Sequence, residues 1–303
     1  MAVAMPAEAQ ERRARPPRPN PERYEGVFYK DVVAALQGAR PRVGELAGLQ
    51  PANKSTAGGA TTESNPGSES GSGKKWTNLT AAVHLEDEIK RLKMRYNSVV
   101  TTPGRFNGGD FQQAREELAM LATFFAVITE FDEDIRFRED AAIARDLMSR
   151  AIVGVSSGAG DAFNIAKQRQ ADLQDIVSGS GLNRSAPTDP NDWSIITTRS
   201  AIMNYLEEVL GEPLQSGTNN ADDFGPASDD LARAAAMVAV LGQVLTEPGM
   251  DEADDEDYNA FSRQMTQAAL DLQQAIEQQD AAAARLAVGA ISQSCEACHN
   301  DYR

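Results

Sequence analysis

The chain has 303 residues, a net charge of -16, 6% aromatic residues, two cysteines and two histidines. Its length is that of about two domains, and abundant Ala, Leu, Gln, Glu and Asp with few aromatics favours helices over strands. No apolar run approaches the roughly 18 to 20 residues of a membrane span, and an acidic balance of -14 in residues 193–303, against -5 in 76–192 and +3 in 1–75, excludes nucleic acid because phosphate would be repelled.

The first residues, ending in Ala7-Glu8-Ala9, resemble a small-residue cleavage site. They lack a basic stretch before them, so the expectation is a start that lies inside a longer signal peptide. Residues 10–20 are rich in Arg and Pro and read as extended. Residues 24–38 can form a short amphipathic helix, with Phe28, Val32, Val33 and Leu36 on one side. Residues 51–75 carry Ser, Thr, Gly, Pro and Lys with almost no large apolar side chain, the composition of a disordered linker.

From Trp76 onward the pattern is helical and repeats weakly. Trp76 opens one unit and Trp193 another, 117 positions later. Glu117-Leu118-Ala119 and Asp230-Leu231-Ala232 head two apolar helices, and Met148 and Ala151 match Met265 and Ala268. The expected helices are 78–97, 111–131, 138–155 and 160–178, then 193–210, 228–246, 254–278 and 280–299. Pro103-Gly104, Gly108-Gly109, Pro213 and Gly225-Pro226 mark breaks. Ser228 and Asp280 are expected N-caps. The fold predicted is all-α: two tandem four-helix bundles, at 76–182 and 193–303, behind a largely disordered N-terminal arm of residues 1–75.

Three of the four Cys and His residues fall in one five-residue window, Cys295-Glu-Ala-Cys298-His299. Cys-x-x-Cys-His is a haem attachment signature. Two thiols add to the vinyl groups on one porphyrin edge, and the adjoining imidazole turns to the iron. On a helix these residues stand at i, i+3 and i+4, on one face. A redox dithiol leaves His299 unexplained. A zinc site lacks a second Cys/His pair, since His84 is the only other candidate. A disulfide here would staple almost nothing.

The ending Cys295-x-x-Cys298-His299-x-x-Tyr302-Arg303, on the last helix of a four-helix bundle, resembles the cytochrome c′ family. The resemblance covers residues 193–303. It implies one covalent haem c on Cys295 and Cys298, with His299 as proximal iron ligand. Arg199-x-x-x-Met203 resembles the family's arginine and distal-side residue. By that resemblance Arg199 pairs with a haem propionate, Met203 faces the iron opposite His299, and Arg303 sits near the proximal imidazole. As ordinary residues, Arg199 is a surface arginine and Met203 a core methionine. The family usually forms antiparallel homodimers, so either a homodimer or packing between the two repeats is expected, the first repeat then standing in for a second subunit.

The first repeat has no such motif. Val177–Gly181 aligns with Cys295–His299, and Glu86 with Met203, so this copy reads as haemless. His84 reads as a partly exposed, ordinary histidine. The acidic run Asp251–Asp257 lacks the Gly and Glu of a calcium loop and reads as a solvated loop with helix N-terminal charge. No nucleophile–base, paired-carboxylate or phosphate-loop constellation stands out, so no side-chain enzyme is expected. The leading functional reading is an exported, periplasmic or otherwise extracytoplasmic, monohaem electron-transfer protein with a basic redox partner. The alternatives are binding of a small gas such as NO or CO, and a haem-bearing interaction subunit of a larger exported complex.

Overall fold

The computed structural model describes residues 72–302, and the readings made for residues 1–71 and for Arg303 lie outside the described residues. Among the described residues, ten α-helices of four residues or more carry the fold, named here in chain order. They are α1 Ser72–Thr77, α2 Ala82–Val99, α3 Phe111–Thr129, α4 Arg138–Gly154 and α5 Ala162–Ser178, then α6 Trp193–Ile196, α7 Arg199–Val209, α8 Ala221–Val244, α9 Glu256–Glu277 and α10 Ala281–Asp301. No strand occurs among the described residues, so the fold is all-α as expected. Ser72–Thr77 is helical, so the region expected to be linker gives way to structure before residue 75.

Helices α2 to α5 pack on one another, and so do α7 to α10. Each amphipathic helix buries the residues its spacing predicts. In α2 these are Leu85, Ile89, Leu92 and Tyr96, and in α9 they are Tyr258, Met265, Leu272 and Ile276. Helices α3 and α8 differ, because Leu118–Ile128 and Ala234–Gly242 are buried all round. They lie centrally, touching their own group and the other: α3 meets α7, and α8 meets α2. A helix apolar on every side has no face to give to water, and this placement satisfies that.

Helix ends follow local chemistry. Asp280 Oδ1 accepts hydrogen bonds from the amides of Ala282 and Ala283 at the start of α10, as expected of an N-cap. Asp255 does the same for Asp257 and Tyr258 at the start of α9. Gly179, at φ 82°, closes α5 in the left-handed region, and the Ser180 amide reaches the Asp175 carbonyl at 2.9 Å.

Two expected boundaries are wrong. The helix foreseen at 193–210 breaks, because Thr197 and Thr198 are extended and the Thr198 hydroxyl caps α7 through the Ala201 amide. Ala81 is extended likewise before α2, so a Trp-bearing turn precedes each long helix. The helix foreseen to start at Ser228 begins at Ala221, capped by Asn220 through the Asp223 amide, and Ser228 lies inside it. Pro226 is tolerated there because it removes only the bond to the exposed Asp222 carbonyl, which water can satisfy.

Candidate functional site

Helix α10 sets out three sulfur and imidazole groups at one end of the second helix group. Ala284, Val288 and Ile291 are buried along its inner face, and Cys295 and Cys298 pack against the core on the same side. His299 follows one residue later, in the last turn. All three line a cavity of about 710 Å³. Another wall is Met203 and Leu206 of α7, with Leu210 just beyond that helix. Tyr258, Phe261 and Met265 of α9 form the floor. The volume lies within the roughly 300–1,000 Å³ of cofactor pockets. Most of the lining is apolar, with Glu207 and Glu296 as carboxylates.

Burial pushes both thiols above the usual cysteine range. The Cys298 thiol is drawn back by the positive charge of Arg199. Both cysteines are free. Two apolar-lined thiols a helical turn apart, with an imidazole beside them, suit a flat hydrophobic group joined along one edge.

Arg199 stands in the first turn of α7. Its guanidinium acts on Cys298 and on Tyr258, both at the cavity. Its Nη1 is buried without a hydrogen bond, 3.9 Å from Glu252 Oε1, and the Tyr258 hydroxyl is also unsatisfied. Burial raises the Tyr258 pKa to about 12, against the pull of Arg199. Orphaned buried donors are uncommon and call for a partner. A carboxylate reaching this edge of the cavity would satisfy both, which fits the haem the motif implies. Cys295, Cys298, His299, Met203 and Arg199 are thus brought to one place. Arg303 lies outside the described residues.

Sequence reasoning missed the contribution of α9. Tyr258, Phe261 and Met265 recur at i, i+3 and i+7, a spacing that could have marked them as one face. It also missed the anchor at the chain's end. The Tyr302 hydroxyl donates to Asp255 Oδ1 at 2.8 Å, and its ring packs edge-on against Tyr258 and Phe261. This ties the last turn of α10 to the cap of α9.

The first helix group is closed at the corresponding place. Helices α2 and α5 touch directly. Arg136 bridges them: its amide donates to Glu86 Oε1 at 3.1 Å and its guanidinium to the Val177 carbonyl at 2.8 Å. Glu86 and Val177 are where the repeat in the sequence puts the counterparts of Met203 and Cys295. His84 does not line the cavity. It is half-buried near Arg233, Asp87 and Asp229, and burial lowers its pKa. The acidic run 251–257 forms turns and the α9 cap, and no cluster of three or more metal-binding side chains occurs among the described residues. Among the same residues no helix is long and apolar enough to cross a membrane.

Residues 253–303, which span α9 and α10, match the family model described as Cytochrome C′. No curated protein and no solved structure matches the chain. The matched segment carries the thiols, the imidazole, the cavity floor and the Tyr302 anchor. Over these residues the chain is similar to cytochrome c′, which supports a c-type cytochrome haem protein, and the cofactor that the match implies is covalently bound haem c.

Proposed function

We propose that the chain is an exported monohaem electron carrier, with haem c held through Cys295 and Cys298, His299 as proximal ligand and Met203 as distal ligand. The observation that supports this reading is that Met203 lines the same cavity as His299, from the α7 wall. The haem would supply a one-electron redox couple, whose potential a thioether ligand raises. The chain's own residues do the rest. Arg199 and Tyr258 receive an anionic substituent at the cavity edge. Leu206, Leu210 and Phe261 exclude water. The acidic second half, at -14, steers a basic redox partner toward it. Export belongs to the same reading, since thioether formation needs reduced thiols and haem outside the cytoplasmic membrane.

A second reading rests on the same wall. Met203 is partly buried and packed on the core. If its thioether stays in that packing, the distal side is an apolar pocket for a small gas.

The optical spectrum of the ferrous, haem-loaded protein with and without CO separates the two. Sharp visible bands indifferent to CO support electron transfer with Met203 bound. A broad high-spin spectrum that CO shifts supports gas binding. Absence of attached haem sinks both.

A further inference from the structure

We propose that residues 76–182 are a built-in partner subunit: they are related to residues 193–302 by a pseudo-two-fold axis and cover the face of α7 and α8 that a second copy of the haem-bearing half would otherwise take. The proposal does not depend on which ligand the iron takes.

A two-fold contact has a signature. Positions on the axis touch their own counterparts, and positions off the axis exchange, i meeting j and j meeting i. A head-to-tail arrangement of repeats does neither. Residues 117 positions apart are counterparts in α2 and α7, which begin at 82 and 199, and the offset widens by a residue or two further on, where α4 and α5 begin at 138 and 162 and α9 and α10 at 256 and 281.

Three counterpart pairs meet. The rings of Trp76 and Trp193 lie 6.2 Å apart. Arg91 Nη1 is 3.8 Å from Glu208 Oε1. Tyr205 lies against Glu88: burial raises its pKa well above the usual tyrosine value, and the Glu88 carboxylate adds to the rise.

Exchange flanks them. Helix α2 meets α8 while α3 meets α7. Arg233 of α8 donates to Glu88 of α2 at 2.6 Å. Its counterpart Glu116 of α3 accepts from Asn204 of α7 at 3.0 Å, one residue from the position symmetry requires. At the Trp-bearing turns, Lys75 pairs with Glu247, and Asn191 donates to Glu130, the counterpart of Glu247, at 2.6 Å. Again the match is within one residue.

The surface so formed is not exposed. Glu88 and Glu117 are buried to 0% and 2% exposure, with Arg91, Arg95 and Arg233 upon them. A second copy has nothing left to bind there. The half that supplies the cover has Arg136 where the other has its cavity, so the pair has one open site and one closed one.

The test uses the haem-loaded full chain. Light scattering at micromolar concentration is expected to give one 32.6 kDa protein chain plus its haem. A mass twice that would overturn the proposal, because the covering half would then not be what keeps the chain single. A protease site placed at the exposed Ser185-Ala186 then allows the halves to be cut apart without removing either. The nicked protein is expected to stay a one-to-one complex on gel filtration in dilute salt. Spontaneous separation would overturn the proposal. Glu88→Arg in the nicked protein is expected to part the halves, and a complex that survives it would overturn the assignment of the axis.

Discussion

Glu88 on α2 is fully buried and takes hydrogen bonds from two arginines, Arg91 one turn along its own helix at 2.8 Å and Arg233 of α8 at 2.6 Å. Arg91 also approaches the Tyr205 ring, and Arg233 reaches Asp230. A charge with no access to water is tolerable only when its partners are in place.

Glu88→Ala leaves two guanidinium groups facing each other beneath the surface. The expected cost is about 3–5 kcal/mol in chemical denaturation, the range for breaking a buried pair from one side. Because α7 carries Tyr205 and Glu208 toward this network and Met203 and Leu206 toward the cavity, the same change should alter the haem spectrum. A loss below about 0.5 kcal/mol, ordinary for a surface site, would show that the network is not holding the helices.

Glu117 is the pH-sensitive member. Burial pushes its carboxyl up to about 7, against the attraction of Arg95. The unfolded chain ionises this group near 4.5, so between about 4.5 and 7 the folded state binds more protons than the unfolded one. Its contribution therefore favours folding at the acid end and is lost as pH rises through that window. Urea midpoints of the parent and Glu117→Gln, taken at pH 4.5 and 7, should show the parent losing ground to the variant. A constant difference would contradict it.

Met203→Leu keeps the volume and apolar character of the side chain but removes the sulfur. Under the electron-transfer reading, the sharp ferrous bands should broaden, CO should bind, and the midpoint potential should fall. An unchanged spectrum would move the choice to gas binding. Gross unfolding is not expected, and circular dichroism would detect it.

Tyr302→Phe removes the hydroxyl that Asp255 accepts while keeping the ring packing on Tyr258 and Phe261. In the parent, that bond to Asp255 raises the Tyr302 pKa to about 12. The ultraviolet titration of the variant should lose one late-ionising tyrosine. Amides of the last turn, next to His299, should exchange faster with solvent. Unaltered exchange would mean that ring packing alone anchors the helix.

The all-α class and most helix positions were legible in the chain, because apolar spacing and caps such as Asp280 are local. Boundaries failed where a local signal has two outcomes. Pro226 ends a helix if its turn has nowhere to go, and is absorbed if the carbonyl it frees can reach water. The thiols and His299 were legible because their chemistry demands fixed spacing along one helix. The cavity floor on α9, the Tyr302 anchor to Asp255 and the Arg136 bridge were not, since each joins residues that only packing brings together.

The sequence by itself determined a helical chain with one haem-attachment motif at its end. Only the tertiary structure decided that Met203 and His299 line one cavity, that Arg199 holds an unused donor near it, and that Glu88 meets Arg233 across 145 positions. The physical reason is the range of the forces. Helix propensity, capping and motif spacing act within a few residues. Burial of apolar faces and of the charges trapped between them depends on which helices come to lie together.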